Sequence, residues 1–213
     1  MSHHHDHGNC GNESHSHDHD HDHNTSDLGP QDNLYIHIDR PNVVALNTNG
    51  KGQDVIKPWH ERLDESISIE SDADDQIIVR IPFTGSVRLR SVLLKTGPTD
   101  QTPSKVLLYA NTTNLDFDDV ASQKPTQEFV VAQGRDVGEY AVKTTQFSNI
   151  SSLTLFFPES QGAETTQVYY IGLLGHWTER KNNPVVTVYE TQANIADHPK
   201  IQGMDGMFSR PGM

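Results

Sequence analysis

The chain holds a single cysteine, Cys10, so no internal disulfide can brace it and no Cys-x-x-Cys redox pair exists. No apolar run approaches the ~20 residues that a membrane-spanning helix requires. The polar N-terminus also lacks the apolar stretch of a secretory signal. An intracellular protein is therefore expected, with the sequons at Asn12, Asn24, Asn111 and Asn149 read as chance matches. Positive charge is scarce too: 16 Lys and Arg stand against 29 Asp and Glu, a formal net charge of −13. Such a surface repels nucleic acids and anionic membranes and attracts basic protein faces, so neither of the first two is expected as a partner.

Catalytic signatures are missing as well. There is no Gly-x-Ser-x-Gly elbow, no phosphate-cradling Walker loop and no dinucleotide glycine fingerprint. Outside the first 33 residues the histidines are His37, His60, His176 and His198, scattered with no His-x-x-x-His pair. A non-enzymatic protein without a cofactor is the expectation. Trp59 and Trp177 could stack sugars, but packing in the core or at a sheet edge is the commoner use of such residues.

What is present falls into three parts: residues 1–33, 34–190 and 191–213. The first is a low-complexity segment with nine histidines, seven acids and no Lys or Arg. It holds too little apolar area to offset the entropy of ordering, so a disordered His-rich tail is expected. Within it His17, His19, His21 and His23 alternate with aspartates, a flexible set of donors suited to zinc, nickel or copper. A fixed metal site needs rigid geometry and supporting hydrogen bonds, which such a repeat lacks. Metal buffering by the tail is accordingly a secondary functional reading.

From residue 34 onward, short runs rich in Val, Ile, Leu, Tyr and Phe recur between turn residues. Strands are predicted at 34–39 (the weakest), 76–83, 87–96, 105–111, 127–133, 139–144, 152–159, 167–177 and 185–190. Helix is limited to a turn or two near 58–63 and 116–121. Strands without intervening helices indicate an all-β, antiparallel sandwich or jelly roll. Val87 and Leu89 alternate with Arg88 and Arg90, after which Val92 and Leu94 change parity. That change points to a bulge or twist. Residues 191–213 read as an extended tail.

The densest signal is at 67–83. Glu70, Asp72, Asp74 and Asp75, followed by Gln76, run directly into an alternation of Ile77, Val79, Ile81 and Phe83. This reads as a rigid sheet carrying an acidic rim, suited to docking a partner. A calcium loop of the EF-hand type is rejected, because Gln76 and Ile77 stand where an acid or amide and a glycine are needed. A solvated turn with local Asx and capping bonds is the plain alternative.

Several stretches together resemble the PITH domain, the proteasome-interacting C-terminal module of thioredoxin-like proteins. They are Ile38-Asp39, Leu46-Asn47, ESDADDQ at 70–76 and the strand ending at Phe83. Further along come Pro103 with Val106, Tyr109-Ala110-Asn111, Leu115-Asp116-Phe117-Asp118, Phe147, the run from Leu153 to Phe157, Thr165-Thr166, and Tyr170 to Leu173. The resemblance covers about residues 34–190 and implies a jelly-roll sandwich related to galactose-binding-like folds. It also implies association with the 26S proteasome through its 19S regulatory particle, in cytoplasm and nucleus. The thioredoxin part and its Cys-x-x-Cys are absent, so disulfide reduction is not carried over and the chain looks like the stand-alone members. A monomer is expected, with Glu70, Asp72, Asp74, Asp75 and Gln76 as the candidate partner-binding residues. A small-ligand or glycan-binding sandwich is the alternative that the fold class suggests.

Overall fold

A computed structural model describes Met1, residues 29–112 and residues 114–180. The expected histidine tail, the strand predicted at 185–190, and residues 191–213 lie outside the described residues. Among those described, eight strands occur: β1 (Val44–Leu46), β2 (Ile69–Glu70), β3 (Ile77–Thr96), β4 (Lys105–Ala110), β5 (Gln127–Val130), β6 (Gly138–Ala141), β7 (Ile150–Phe157) and β8 (Gln167–Thr178). One short helix, α1 (Phe117–Ser122), and several single turns of 3-10 helix join them. All the strand pairings are antiparallel, so the fold is all-β as expected.

The architecture is organised by β3. The two strands expected at 76–83 and 87–96 are one continuous strand of 20 residues, running straight through Thr84-Gly85-Ser86. Its first part lies between β1 and β7, its second between β6 and β8. One layer therefore reads β1-β3-β7-β4-β5 and the other β6-β3-β8-β2, both sharing β3.

Two local devices let one strand serve both layers. Pro82 has no N–H to give to a ladder, and the pairing with β7 loses register between Pro82 and Val87. Beyond it, Gly85 lies against Trp177: a Cβ there would meet the indole Nε1 at 2.4 Å and the Thr178 carbonyl oxygen at 2.5 Å. Only glycine allows this close crossing. The turn signal at 84–86 was thus a real irregularity, but it bends a strand instead of ending one.

The change of parity in the second half has the cause read from the sequence. Leu89 pairs with Gly175 and Ser91 with Leu174, leaving Arg90 as an extra residue. Because of that bulge Val87, Leu89, Val92 and Leu94 all enter the main core. There they face Val79 and Ile81 from the first half of β3, Val106 and Leu108 of β4, Leu153, Leu155 and Phe157 of β7, and Ile171 and Leu173 of β8. The alternation Ile77, Val79, Ile81, Phe83 points into this core as expected.

Ile78 faces the other way and is equally buried, at 1% exposure. It joins Tyr109, Leu115, Val120 and Phe156 in a second cluster on the outer face of the first layer. This explains why β7 is almost uniformly buried: the core covers one of its faces and the α1 region the other. The helix is started by Asp116, whose side chain accepts from the Asp119 N–H at 2.9 Å while Asp119 reaches back to the Asp116 N–H. Phe117 then meets Phe156 edge to face, with ring centroids 6.3 Å apart.

Three elements departed from expectation. Residues 34–39 are not a strand; Tyr35–His37 form a 3-10 turn, and Ile38 makes one bridge to Phe83. The strands β1 and β2 escaped notice because three and two residues are too short to show alternation.

Gly175 sits at the bulge, where a Cβ would lie 2.3 Å from the Arg88 carbonyl oxygen and 3.0 Å from the Leu89 Cα. Both obstacles are backbone and cannot rotate away. Gly175→Ala should therefore destabilise the fold by about 2 kcal/mol or more, measured by urea unfolding. A second outcome concerns Tyr170, 1% exposed beside Leu93 and Leu174. Burial raises its phenol pKa to about 12. Between the unfolded value near pH 10 and this folded value, the unfolded chain releases a proton that the folded chain retains, so stability falls as pH rises. The loss should reach about 2–3 kcal/mol by pH 12, and Tyr170→Phe should remove that component of the pH profile.

Candidate functional site

The acidic turn is built around Asn47, which follows β1 in the left-handed region at φ 58°, a conformation asparagine tolerates better than most residues. That backbone turns its amide toward the 70–76 segment. Its Nδ2 donates to Asp74 Oδ1 at 2.6 Å and to the Gln76 carbonyl at 2.7 Å, while its Oδ1 accepts from the Ala73 N–H at 2.9 Å. Asp74 Oδ1 also accepts from the Gln76 N–H at 3.0 Å, an Asx turn that starts β3. Of the five candidate residues, Gln76 thus contributes backbone groups to the clasp.

The remaining acids tie this turn to two other loops. Asp75 Oδ2 accepts from the Ser160 N–H at 2.7 Å, and the Asp75 carbonyl accepts from Thr166 Oγ1 at 2.6 Å. Glu70 Oε1 accepts from Thr165 Oγ1 at 2.8 Å and from Gln101 Nε2 at 3.1 Å. Beneath them Ser71 and Thr166, both buried, exchange hydrogen bonds: Ser71 N–H donates to the Thr166 carbonyl, and Thr166 N–H to Ser71 Oγ. Gln161 closes the third side, its N–H donating to the Thr102 carbonyl at 2.9 Å.

The five predicted residues do come together, but in different capacities. Glu70 and Asp75 are half-buried fasteners, Asp74 is an exposed fastener, and Asp72 is exposed with a carboxylate that makes no hydrogen bond among the described residues. All the partners of these carboxylates are neutral, and no ion pair compensates Glu70, Asp72, Asp74 or Asp75 among the described residues. The charges of Glu70, Asp74 and Asp75 are thus held in place by neutral donors.

Three further acids belong to the same end of the fold: Asp100, Glu159 and Glu164, all exposed. The loops carrying them are knitted to the turn through the Gln101, Ser160 and Thr165 bonds just described. Sequence reasoning missed them because each is a lone acid in a turn, 24 residues or more from the acidic cluster, and only loop packing unites them.

The acids do not form a metal centre: among the described residues no three of His, Cys, Asp and Glu converge as ligands. The tail histidines His17, His19, His21 and His23 lie outside the described residues. The two tryptophans are already engaged. His37 stacks on Trp177 at 4.3 Å with planes 6° apart, and this burial holds the His37 pKa below its usual value. The Arg62 guanidinium lies over the Trp59 ring at 4.4 Å.

The class defined here is an antiparallel β-sandwich whose one end displays a hydrogen-bonded acidic rim. The chain belongs to the PITH domain family, whose sequence pattern matches residues 24–193. It is 39% identical over 209 residues to PITH domain-containing protein CG6153 of Drosophila melanogaster, covering 96% of each chain. It is 42% identical over 171 residues to PITH domain-containing protein 1 of Homo sapiens, covering 78% of this chain and 80% of the relative. Among solved structures it is similar to the galactose complex of the family 32 carbohydrate-binding module from Clostridium perfringens NanJ. That match has a TM-score of 0.46 at 7% identity, over 62% of this chain and 90% of the other. A fucolectin from striped bass serum matches with a TM-score of 0.47 at 9% identity, over 68% of this chain and 49% of the other. No helix among the described residues is long and apolar enough to cross a membrane.

Replacing Asn47 by Ala removes a side chain with three strong hydrogen bonds and places a less tolerant residue at positive φ. Unfolding in urea should show a loss of about 2–3 kcal/mol. Amide exchange should accelerate first in 70–76, because the clasp opens before the core.

Proposed function

We propose that this chain is a non-enzymatic docking module that binds the regulatory particle of the 26S proteasome through its acidic end. Family membership supplies the direction of this reading. The observation that carries it is the rim, which no ion pair compensates among the described residues: the Glu70, Asp74 and Asp75 carboxylates are oriented by neutral donors on a hydrogen-bonded clasp, with exposed Asp72 beside them and exposed Asp100, Glu159 and Glu164 on the adjoining loops. Cytoplasm and nucleus are the compartments that this partner implies.

Charge presented in this way acts at a distance. It steers a basic partner face during encounter and selects its orientation, and it weakens as salt rises. Rigidity matters because a prepositioned carboxylate loses little conformational freedom on binding. Glu70, Asp74 and Asp75 bear on binding mainly by keeping the platform intact. Asp72, Asp100 and Glu164 are the free charges among the described residues, whereas Glu159 accepts from Ser104 Oγ at 2.9 Å.

That division determines the experiment. Asp72, Asp100 and Glu164 make no side-chain hydrogen bonds among the described residues, so Asp72→Lys, Asp100→Lys and Glu164→Lys can be combined without opening the clasp. The triple variant should bind purified 26S proteasome about tenfold or more slowly at low ionic strength, with an unchanged thermal midpoint. Absence of binding by the unaltered chain to purified regulatory particle would remove the proposal. Equal association rates for the two proteins would remove the role given to the rim.

A further inference from the structure

On the outer face of the first layer, the loop at 114–116 stands away from the sheet and leaves a cavity of about 330 Å³. It is lined by Val44 and Leu46 of β1, Ile78 and Arg80 of β3, Thr154 of β7, and Asn114, Leu115 and Asp116 of the loop. Two polar groups in it are unusual for their surroundings.

The first is Thr154. Its neighbours Leu153 and Leu155 enter the main core, so strand alternation turns the Thr154 side chain outward, to the side of Phe156 and Ile78. The residue is 1% exposed, and its Oγ1 has no hydrogen-bond partner among the described residues. A valine would fill the same volume without leaving a polar atom unsatisfied. The second is Arg80, paired directly with Thr154 across the β3–β7 ladder. Its guanidinium makes one hydrogen bond among the described residues, Nη1 to Asn114 Oδ1 at 3.2 Å, and no ion pair. The one carboxylate in the lining, Asp116, is turned to the Asp119 N–H at the start of α1.

The cavity therefore offers a cation with spare donors, a buried hydroxyl without an acceptor, and walls of Val44, Leu46, Ile78 and Leu115. A planar acid group matches a guanidinium fork and can take a further bond from the hydroxyl. The aliphatic walls call for an aliphatic stem, and with no aromatic side chain in the lining the cavity does not offer a stacking surface for a sugar ring.

We propose that this cavity binds a short aliphatic carboxylate, with Arg80 and Thr154 holding the acid group and Val44, Leu46, Ile78 and Leu115 enclosing the stem. Such a group exists both as a free branched acid and as the C-terminal residue of a protein chain. The cavity shares no lining residue with the acidic rim, although Leu46 directly precedes Asn47 of the clasp, and the inference does not depend on proteasome binding.

The test uses the full chain with three probes: isocaproate, acetyl-Ala-Ala-Leu with a free C-terminus, and the same peptide as its C-terminal amide. Calorimetric titration should show binding of a free-acid probe and at least about tenfold weaker binding of the amide. Binding of the peptide acid alone assigns the site to a chain terminus, and binding of isocaproate alone assigns it to a small molecule. Thr154→Val should weaken the bound acid about tenfold while raising the thermal midpoint of the empty protein, a combination that a purely structural hydroxyl would not give. Arg80→Gln should abolish binding. Failure of both acids to bind, equal binding of acid and amide, or a Thr154→Val variant of unchanged affinity would each overturn the proposal.

Discussion

A single strand that serves two layers is the constraint on which this fold rests. β3 pairs with β1 and β7 through its first part and with β6 and β8 through its second, so the two layers cannot be positioned independently. Pro82 releases the strand from one partner, Gly85 lets it pass against Trp177, and the extra residue at Arg90 restores the inward face. Each irregularity breaks a local rule of strand structure, and together they produce one continuous core. This is consistent with the view that departures from regularity mark the places where a fold is specified.

The acidic clasp stands at the beginning of that strand, where Gln76 leads into Ile77. Its chemistry separates two demands that usually compete. A carboxylate neutralised by Lys or Arg is fixed in place but offers little field to a partner. A solvated one offers its field but wanders. Here amide, hydroxyl and backbone N–H donors fix the groups and leave their charge intact. Charge-assisted hydrogen bonds of this kind are stronger than neutral ones, which suits a turn with so little apolar area of its own. The outer cavity is arranged on a different principle, with a hydroxyl that has no partner among the described residues and a guanidinium with one hydrogen bond there, set among aliphatic walls. The cavity thus holds a polar group in a state that a sequence selected for stability alone would avoid.

Much of this was legible before the structure. The core faces of β3, β4, β7 and β8 follow from alternation and apolar runs, and the Arg90 bulge follows from the parity change between Leu89 and Val92. The acidic turn was legible as a cluster because its members are contiguous. The continuity of β3 was not, because Thr-Gly-Ser carries the same local signal whether a strand ends there or bends. β1 and β2 were hidden by their length, and residues 34–39 by an apolar content that serves a 3-10 turn as well as a strand.

The amino-acid sequence by itself determined the all-β class, the direction in which most side chains point, and the position of the acidic turn. Those properties depend on neighbours along the chain, through strand alternation and turn chemistry. The tertiary structure decided which acids serve as fasteners, brought Asp100, Glu159 and Glu164 to the same end, and set Arg80 beside Thr154, whose hydroxyl has no partner among the described residues. Hydrogen bonding and burial depend on residues far apart in the chain, and only the folded backbone brings those residues within reach of one another.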